Sequence, residues 1–302
     1  MNETTPRRRR VARQIRDAAS VLIGKAAVQA ASLPARPPRE AEALALAARA
    51  RERLAAAEAQ RQLNIEAVLR DALGIAGNGL STDVPEAGWL ASFFAGAAEA
   101  GDDRQRRLWA LALAEEAARP GAVARRTLTV LRDLSPADIA LFTKLARLVV
   151  SNFAVRLPEP FLERRGLGSD ELLYLEELGL LRGQRDSTKI FRSQRDDAFQ
   201  THLLYADKVL RVAHDDPHKV LTLSSHRLTR AGTDLAHLLR GTADPEYLME
   251  IVRLVDRQGF KMHQANIVAR SGPDVVTRHT RFFEIVVYDP SRRQRLARDR
   301  AI

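Results

Sequence analysis

Apolar positions recur three to four residues apart over most of the first half of the chain, the spacing of one helix face. Val11, Ile15, Ala18, Ala19, Leu22 and Ala26 form the first such stripe, so a helix is expected from about Val11 to Ala31, with Arg13, Arg16 and Lys25 beside the stripe. Residues 1–10 read as a disordered basic arm. Leu33-Pro34-Ala35-Arg36-Pro37-Pro38 follows as a stiff linker, because prolines at this density forbid helix continuation.

A long helix is expected from about Arg39 to Leu73, rich in the strongest helix formers, with Leu44, Ala47, Leu54, Ile65, Val68 and Leu69 as its buried face. The heptad pattern breaks at Arg61, which argues against a sustained coiled coil. Pro85 opens the next helix, carrying Trp89, Phe93 and Phe94. Helices at Arg104–Arg119, Ala124–Leu134 and from Ser135 to about Val150 follow, separated by Gly101-Asp102-Asp103 and Pro120-Gly121. Ser135-Pro136-Ala137-Asp138 is a strong helix start: a capping Ser, a Pro in the first turn and an acid three residues on.

After Val150 the pattern changes. Ser169-Asp170 starts a helix with Leu172, Leu173, Leu175 and Leu178, Gly179 ends it, and Leu180-Leu181 begins a strand. Residues 182–218 are polar and read as an insertion much longer than an ordinary wing. Lys219–Leu223 is a strand, and Leu228-Thr229-Arg230-Ala231-Gly232 leads into a helix Asp234–Leu239. Asp244-Pro245 opens a helix that Gly259 ends. Lys261–Ala269 and Val275–Tyr288 are β-rich runs joined by Ser271-Gly272-Pro273-Asp274, the second expected to be buried on both faces through Phe282, Phe283, Ile285, Val286 and Val287.

The expected fold is mainly α with a smaller α+β C-terminal part. Residues 1–38 form a basic arm, amphipathic helix and Pro-rich linker, and 39–150 an all-helical domain. Residues 151–240 form a winged-helix-like module with a long wing insertion, and 241–302 a small α/β unit of helix plus β-hairpin with a basic tail.

Charge changes this picture. The chain has 302 residues, 48 basic and 38 acidic, for a formal net charge of +10. Residues 1–70 carry +7, residues 290–302 carry +4, and the interval between is −1. The basic excess therefore lies at the two ends, which attract polyanions: nucleic acid, anionic lipid or an acidic partner. The first helix shares features with an interfacial membrane helix but lacks Trp and Phe anchors, so packing against protein is the preferred reading. There are no cysteines, which removes disulfides, thiolate metal sites and cysteine nucleophiles. The most apolar long stretch, Ala18 to Ala35, is interrupted by Lys25 and Gln29 and is no membrane span.

The helical segment carries a set of motifs: RQLNIEAVLRDAL around Asn64-Ile65, then Trp89, Phe93, Phe94 and Asp103-x-Gln105, then LWALALAEE from Leu108 through Trp109 to Glu116, RPG (Arg119–Gly121), RRTL (Arg125–Leu128) and LSPADIALF (Leu134–Phe142). Together they resemble an uncharacterised bacterial domain-of-unknown-function family with the signature LWA-x-ILAGE … PG-x-x-S-x-RTL … L-x-x-D. That signature is similar to abortive-infection alpha proteins. The resemblance covers roughly residues 10–150 and, more loosely, 151–255; it implies phage defence as a context and no particular chemistry. Glu115 stands where the family usually has Gly, and Ala124 where it usually has Ser. The motif residues read as structural: Trp89, Phe94, Leu108, Leu113 and Leu128 as core, Pro120-Gly121 as a tight turn, and Asp103, Glu116, Arg119, Arg126 and Asp138 as a charge network fixing helix order.

Catalytic patterns are sparse. No phosphate-binding GxxxxGKS or HExxH occurs, and the Gly-rich run Gly74–Gly79 follows a helix, whereas a dinucleotide fingerprint follows a strand. His214-Asp215-Asp216-Pro217-His218 could hold a metal, but Pro217 prevents one-face helical spacing of His214 and His218 and no second anchor motif accompanies them. Asp274 and Glu284 resemble a nuclease carboxylate pair, yet Val286 stands where the cation should be. The would-be recognition helix carries Asp170, Glu171, Glu176 and Glu177 and no basic residue, so it should pack on protein, and sequence-specific DNA reading is not expected.

The expectation is a non-enzymatic, cofactor-free interaction protein of the bacterial cytoplasm. Its contacts would be Arg7, Arg8, Arg9, Arg10, Arg13 and Arg16 at one end and Arg292, Arg293 and Arg295 at the other. A protein partner or self-association is expected; nucleic acid and an anionic membrane surface, with peripheral attachment at the inner membrane, stay open as the polyanion. The alternatives are a nucleic-acid-binding winged-helix regulator and a metal-dependent hydrolase at His214 and His218.

Overall fold

A computed structural model describes residues 40–76, 81–183, 187–193, 195–272 and 274–286. The expected N-terminal helix, the Pro-rich linker, Gly77–Gly79 and both arginine-rich ends lie outside the described residues. The chain divides into two compact units, residues 1–67 and 68–302.

Helix α1 spans Glu40–Ala76. Its stretch up to Ala67 constitutes the described part of the first unit and is braced along its own length by Arg61–Glu58 and by Gln62 donating to Glu66, pairs three and four residues apart. Leu44 and Leu54 are exposed here, which corrects their expected burial. Among the described residues no helix is long and apolar enough to cross a membrane.

The second unit begins with helices α2 (Ala87–Ala97), α3 (Asp103–Ala118), α4 (Arg125–Asp133) and α5 (Pro136–Ala146). The starts are chemically explicit: the Asp102 carboxylate accepts from Arg104 N–H and Gln105 N–H, and Ser135 with Asp138 forms a reciprocal capping box. Trp89 stacks on Phe93 at 5.3 Å, and Trp109 meets Phe93 edge-on at 5.4 Å. Gly96 exists where a β-carbon would lie 2.2 Å from the Trp109 ring, so the small residue sets how closely α2 and α3 approach.

Next come β1 (Val149–Val150), β2 (Phe153–Val155), helices α6 (Glu159–Glu163) and α7 (Ser169–Glu177), strands β3 (Leu181–Arg182), β4 (Thr188–Phe191), β5 (Phe199–Tyr205), β6 (Lys208–His214) and β7 (Leu221–Leu228), and helix α8 (Arg230–Leu238). Helix α9 (Pro245–Arg257) and strands β8 (Lys261–Arg270), β9 (Val276–His279) and β10 (Phe283–Glu284) complete the described chain. All strand pairs are antiparallel, in the order β10-β8-β6-β5-β1-β2-β7-β3, with β4 also on β7 and β9 on β8. Helices and sheet share one continuous apolar core running from Val68 to Met262.

Two expectations need correction. Residues 182–218 are not mainly an irregular wing insertion: β5 and β6 form a seven-rung hairpin near the middle of the sheet. Phe199, Leu203 and Tyr205 alternate with polar or half-buried positions, as do Leu210 and Val212, so one face is core and the other is not. The C-terminal run is not a strand buried on both faces. It breaks into the short β9 and the two-residue edge strand β10, and Phe283 and Val286 are exposed.

Gly179 ends α7 with φ +72°, and Gly259 ends the segment after α9 with φ +79°, both in the left-handed region as expected of helix-terminal glycines.

Candidate functional site

Residues between α3 and α4 build a turn. Pro120-Gly121, with Gly121 at φ +88°, reverses the chain between α3 and α4. Glu116, 2% exposed, accepts from Gly121 N–H (2.6 Å) and Val123 N–H (2.9 Å), and the Trp89 indole donates to the Val123 carbonyl (2.8 Å). A buried carboxylate is tolerable here because backbone donors take its lone pairs.

Ala124 is the N-cap of α4 and has no side chain with which to cap it. Asp234 of α8 stands in from more than a hundred residues away: its Oδ2 accepts from Ala124 N–H (3.0 Å) and from the Thr127 hydroxyl (2.7 Å), and its Oδ1 from Arg230 Nε (2.7 Å). The polar job that a serine at position 124 would do is thus taken over by a buried acid that also ties α8 to α4. Thr127→Val removes one hydrogen bond to this carboxylate and should cost about 1.5–3 kcal/mol, read as a lower urea midpoint; an unchanged midpoint would show that Asp234 is not the tie.

The expected single charge network does not form among the described residues. Asp103 is exposed and pairs locally with Arg106, Arg119 pairs with Glu115, and Arg126 is exposed. Asp138 serves its capping box and accepts from the Tyr174 hydroxyl (2.8 Å), joining α5 to α7. Burial pushes the Asp138 carboxyl up, but the hydrogen bonds from Ser135 and Tyr174 outweigh it and hold the group below its usual range. Leu108 and Trp109 are core. The buried acids Glu116, Asp138 and Asp234 each accept from backbone or hydroxyl donors, and Asp234 alone of the three also pairs with an arginine among the described residues, Arg230.

His214 and His218 are braces of an exposed turn. His214 Nδ1 accepts from Asp216 N–H, Lys219 Nζ lies 3.0 Å from its Nε2, and His218 N–H donates to Asp216. A lysine ammonium beside the ring disfavours a cation there, and among the described residues no three His, Asp or Glu side chains gather as a metal site.

Two surface features stand out, the first partly legible in sequence, where Arg182, Arg185, Lys189, Arg192 and Arg195 could touch a backbone but alternate with Asp186, Asp196 and Asp197. The first is a set of cations on β3, β4 and β7. Arg227 of β7 lies opposite Arg182 of β3, and Lys189 of β4 is close enough to Arg227 that this charge, after burial, pushes the Lys189 ammonium down. None of the three has a carboxylate within ion-pair distance among the described residues; Lys189 instead reaches Asn152 Oδ1 (3.3 Å) and lies 5.3 Å from the Phe153 ring centre.

The second is a groove of about 410 Å³ that adjoins them, since Asn152 forms part of its wall. Leu204, Val209 and Val276 give it apolar lining, and Ser151, His202, His279 and Asp274 surround them. Ser151 sits in the β1–β2 turn with φ +54°, a left-handed conformation held by its N–H to the Leu204 carbonyl (2.6 Å) and by its hydroxyl accepting from Leu204 N–H (3.1 Å). At one end His202 and His279 lie 6.0 and 4.7 Å from the Phe282 ring, and the Arg211 guanidinium lies over that ring at 4.5 Å. Burial, Arg211 and His279 push the His202 imidazole down, so its ring is neutral at pH 7. Burial, with Arg270 and Arg119 nearby, pushes Arg240 down to about 10 while Asp274 opposes the shift. The spacing of these residues along the chain carries no local pattern, so only the sheet brings them together.

A family model described as a protein of unknown function (DUF2806) matches residues 48–157, the part of the chain that holds the α3–α4 turn and Glu116 but not Asp234. No curated protein and no solved structure matches the chain.

Proposed function

We propose that this chain is a non-enzymatic interaction protein that holds a nucleic-acid backbone, its helical segment acting as scaffold and its winged-helix-like module as one contact surface. The observation that carries this reading is the set Arg182, Lys189 and Arg227 on adjacent strands, which have no carboxylate within ion-pair distance among the described residues. Like charges that lack acids repel one another until an anion arrives, and a phosphate chain supplies anions at regular spacing. The arginines at both ends of the sequence, Arg7 to Arg10, Arg13, Arg16, Arg292, Arg293 and Arg295, add to the same attraction. The acidic helix α7 does not take part: Asp170, Glu171, Glu176 and Glu177 would repel phosphate. The phage-defence context implied by the resemblance belongs to this proposal, as does a cytoplasmic location.

Reversing all three wing charges (Arg182→Glu, Lys189→Glu, Arg227→Glu) is expected to lower oligonucleotide affinity at low salt by at least about tenfold. It should also flatten the dependence of log affinity on log salt by roughly 2–3. Deleting residues 1–38 should flatten it further without unfolding the rest. An unchanged salt slope in the triple variant rejects the wing as the contact, and flotation with anionic liposomes but no shift of nucleic acid transfers the reading to a membrane surface.

A further inference from the structure

A backbone held on the wing leaves its bases free to go somewhere, and Asn152 marks the place: it touches Lys189 on the wing side and walls the groove on the other. At about 410 Å³ the groove lies within the roughly 300–1,000 Å³ range of small-ligand sites, and its lining is mixed: Leu204, Val209 and Val276 are apolar, whereas Ser151, Asn152, His202, Asp274 and His279 are polar, a combination suited to a ligand with an apolar face and a polar edge.

We propose that this groove accepts one unpaired base of a single nucleic-acid strand whose phosphates run along the wing cations. The inference rests on the backbone reading above and adds where, and in what form, the bases are taken. Leu204, Val209 and Val276 offer apolar contact to a base face. The His202 and His279 rings, grouped around Phe282, are flat surfaces of the kind on which unstacked bases lie. Arg211, fixed over Phe282, puts a fourth cation at this end of the path. Lys189 donates to the Asn152 amide oxygen, so the amide nitrogen is the group left to donate to a base edge. Asp274, 3.6 Å from His237 Nε2 and interacting with Arg240 and Arg270, has a second carboxylate oxygen with which to accept from an exocyclic amine or a ribose hydroxyl. A duplex cannot use such a site without unstacking a base at a cost of a few kcal/mol, so the chemistry selects single strands.

The test is fluorescence anisotropy on the full chain, with a short fluorescein-labelled oligonucleotide presented as a ribo strand, a deoxyribo strand and a duplex of the same sequence. The expected result is tighter binding of single strands than of duplex by about tenfold or more. Comparing the ribo and deoxyribo arms shows whether the ribose hydroxyl is read. Replacing both rings (His202→Ala with His279→Ala) should weaken single-strand binding by roughly tenfold, leaving duplex binding and the salt slope as they were. Val276→Met, which fills the groove without removing a ring, should do the same, and circular dichroism of both variants checks that the fold is kept. Equal affinity for duplex and single strand, or folded groove variants that bind like the parent, overturns the groove assignment while a steep salt slope keeps the backbone reading. Failure to bind any oligonucleotide overturns both.

Discussion

Gly232→Ala is expected to be among the most destabilising single substitutions in this protein, at about 3 kcal/mol or more. Gly232 lies in the first turn of α8, where helix propensity alone would favour alanine by roughly 0.8–1 kcal/mol. The surroundings reverse that sign. A β-carbon would sit 2.1 Å from the Leu180 carbonyl oxygen and 3.0 Å from its carbon, both backbone atoms. Leu180 cannot step aside, because its carbonyl accepts from Thr229 N–H (3.0 Å) and it joins the Gly179 helix end directly to β3. Opening the contact would pull α8 from β3 and with it Asp234 from Ala124 and Thr127. Gly74→Ala is the matched control: that glycine lies in the last turns of α1 with nothing within 4 Å of the new atom, and it should gain up to about 1 kcal/mol. Urea midpoints moving in opposite directions for the same chemical change would confirm that the approach of α8 to Leu180 decides the outcome; a neutral Gly232→Ala would refute it.

That contact also shows which parts of the architecture can be read from the sequence. Helices announce themselves through local chemistry, as in the Ser135–Asp138 capping box, the Pro120-Gly121 reversal and the Gly179 terminus, all found where short-range rules put them. The β5–β6 hairpin escapes those rules for two physical reasons. Its outward face carries Gln200, His202, Arg211 and Ala213, so the segment reads as polar, and its turn contains Ala206 at φ +50° where glycine or asparagine would have signalled it. The helical segment and the sheet also look separable in sequence yet share a core, because the buried faces of α2 to α5 and of β5 to β7 belong to one cluster. Long-range polar ties are invisible in the same way. Nothing near Ala124 points to Asp234, and nothing near Asn152 points to His202, Val276 or His279. A site assembled by strand register rather than by spacing has no signature in one sequence.

Stability should fall as pH drops from about 6.5 to 4, and one imidazole should account for much of the fall. His226 lies on β7 opposite Ala154, 6% exposed, and burial, reinforced by the Arg156 charge, pushes it from its ordinary 6.5 down to about 4. In the unfolded chain the same ring takes up a proton near 6.5. Between these values the unfolded state binds more protons than the folded one, so acid favours unfolding. The contribution is complete above about 6.5, falls by about 1.4 kcal/mol per pH unit below it, and is gone by about pH 4, a total of about 3 kcal/mol. Asp138 and Asp244, both held below their usual range, act in the same direction but only at lower pH, since their unfolded values lie near 3.8. The interval from pH 6.5 to 5 therefore belongs to the imidazoles, and His202, His237 and His263, also pushed down by burial, add to the fall that His226 causes. His226→Leu, which cannot titrate there, should lose about 2 kcal/mol less than the parent between pH 6.5 and 5, read from urea midpoints. Parallel profiles for the two proteins would mean that the ring is protonated in the folded state and that the β2–β7 interface accommodates its charge beside Arg156.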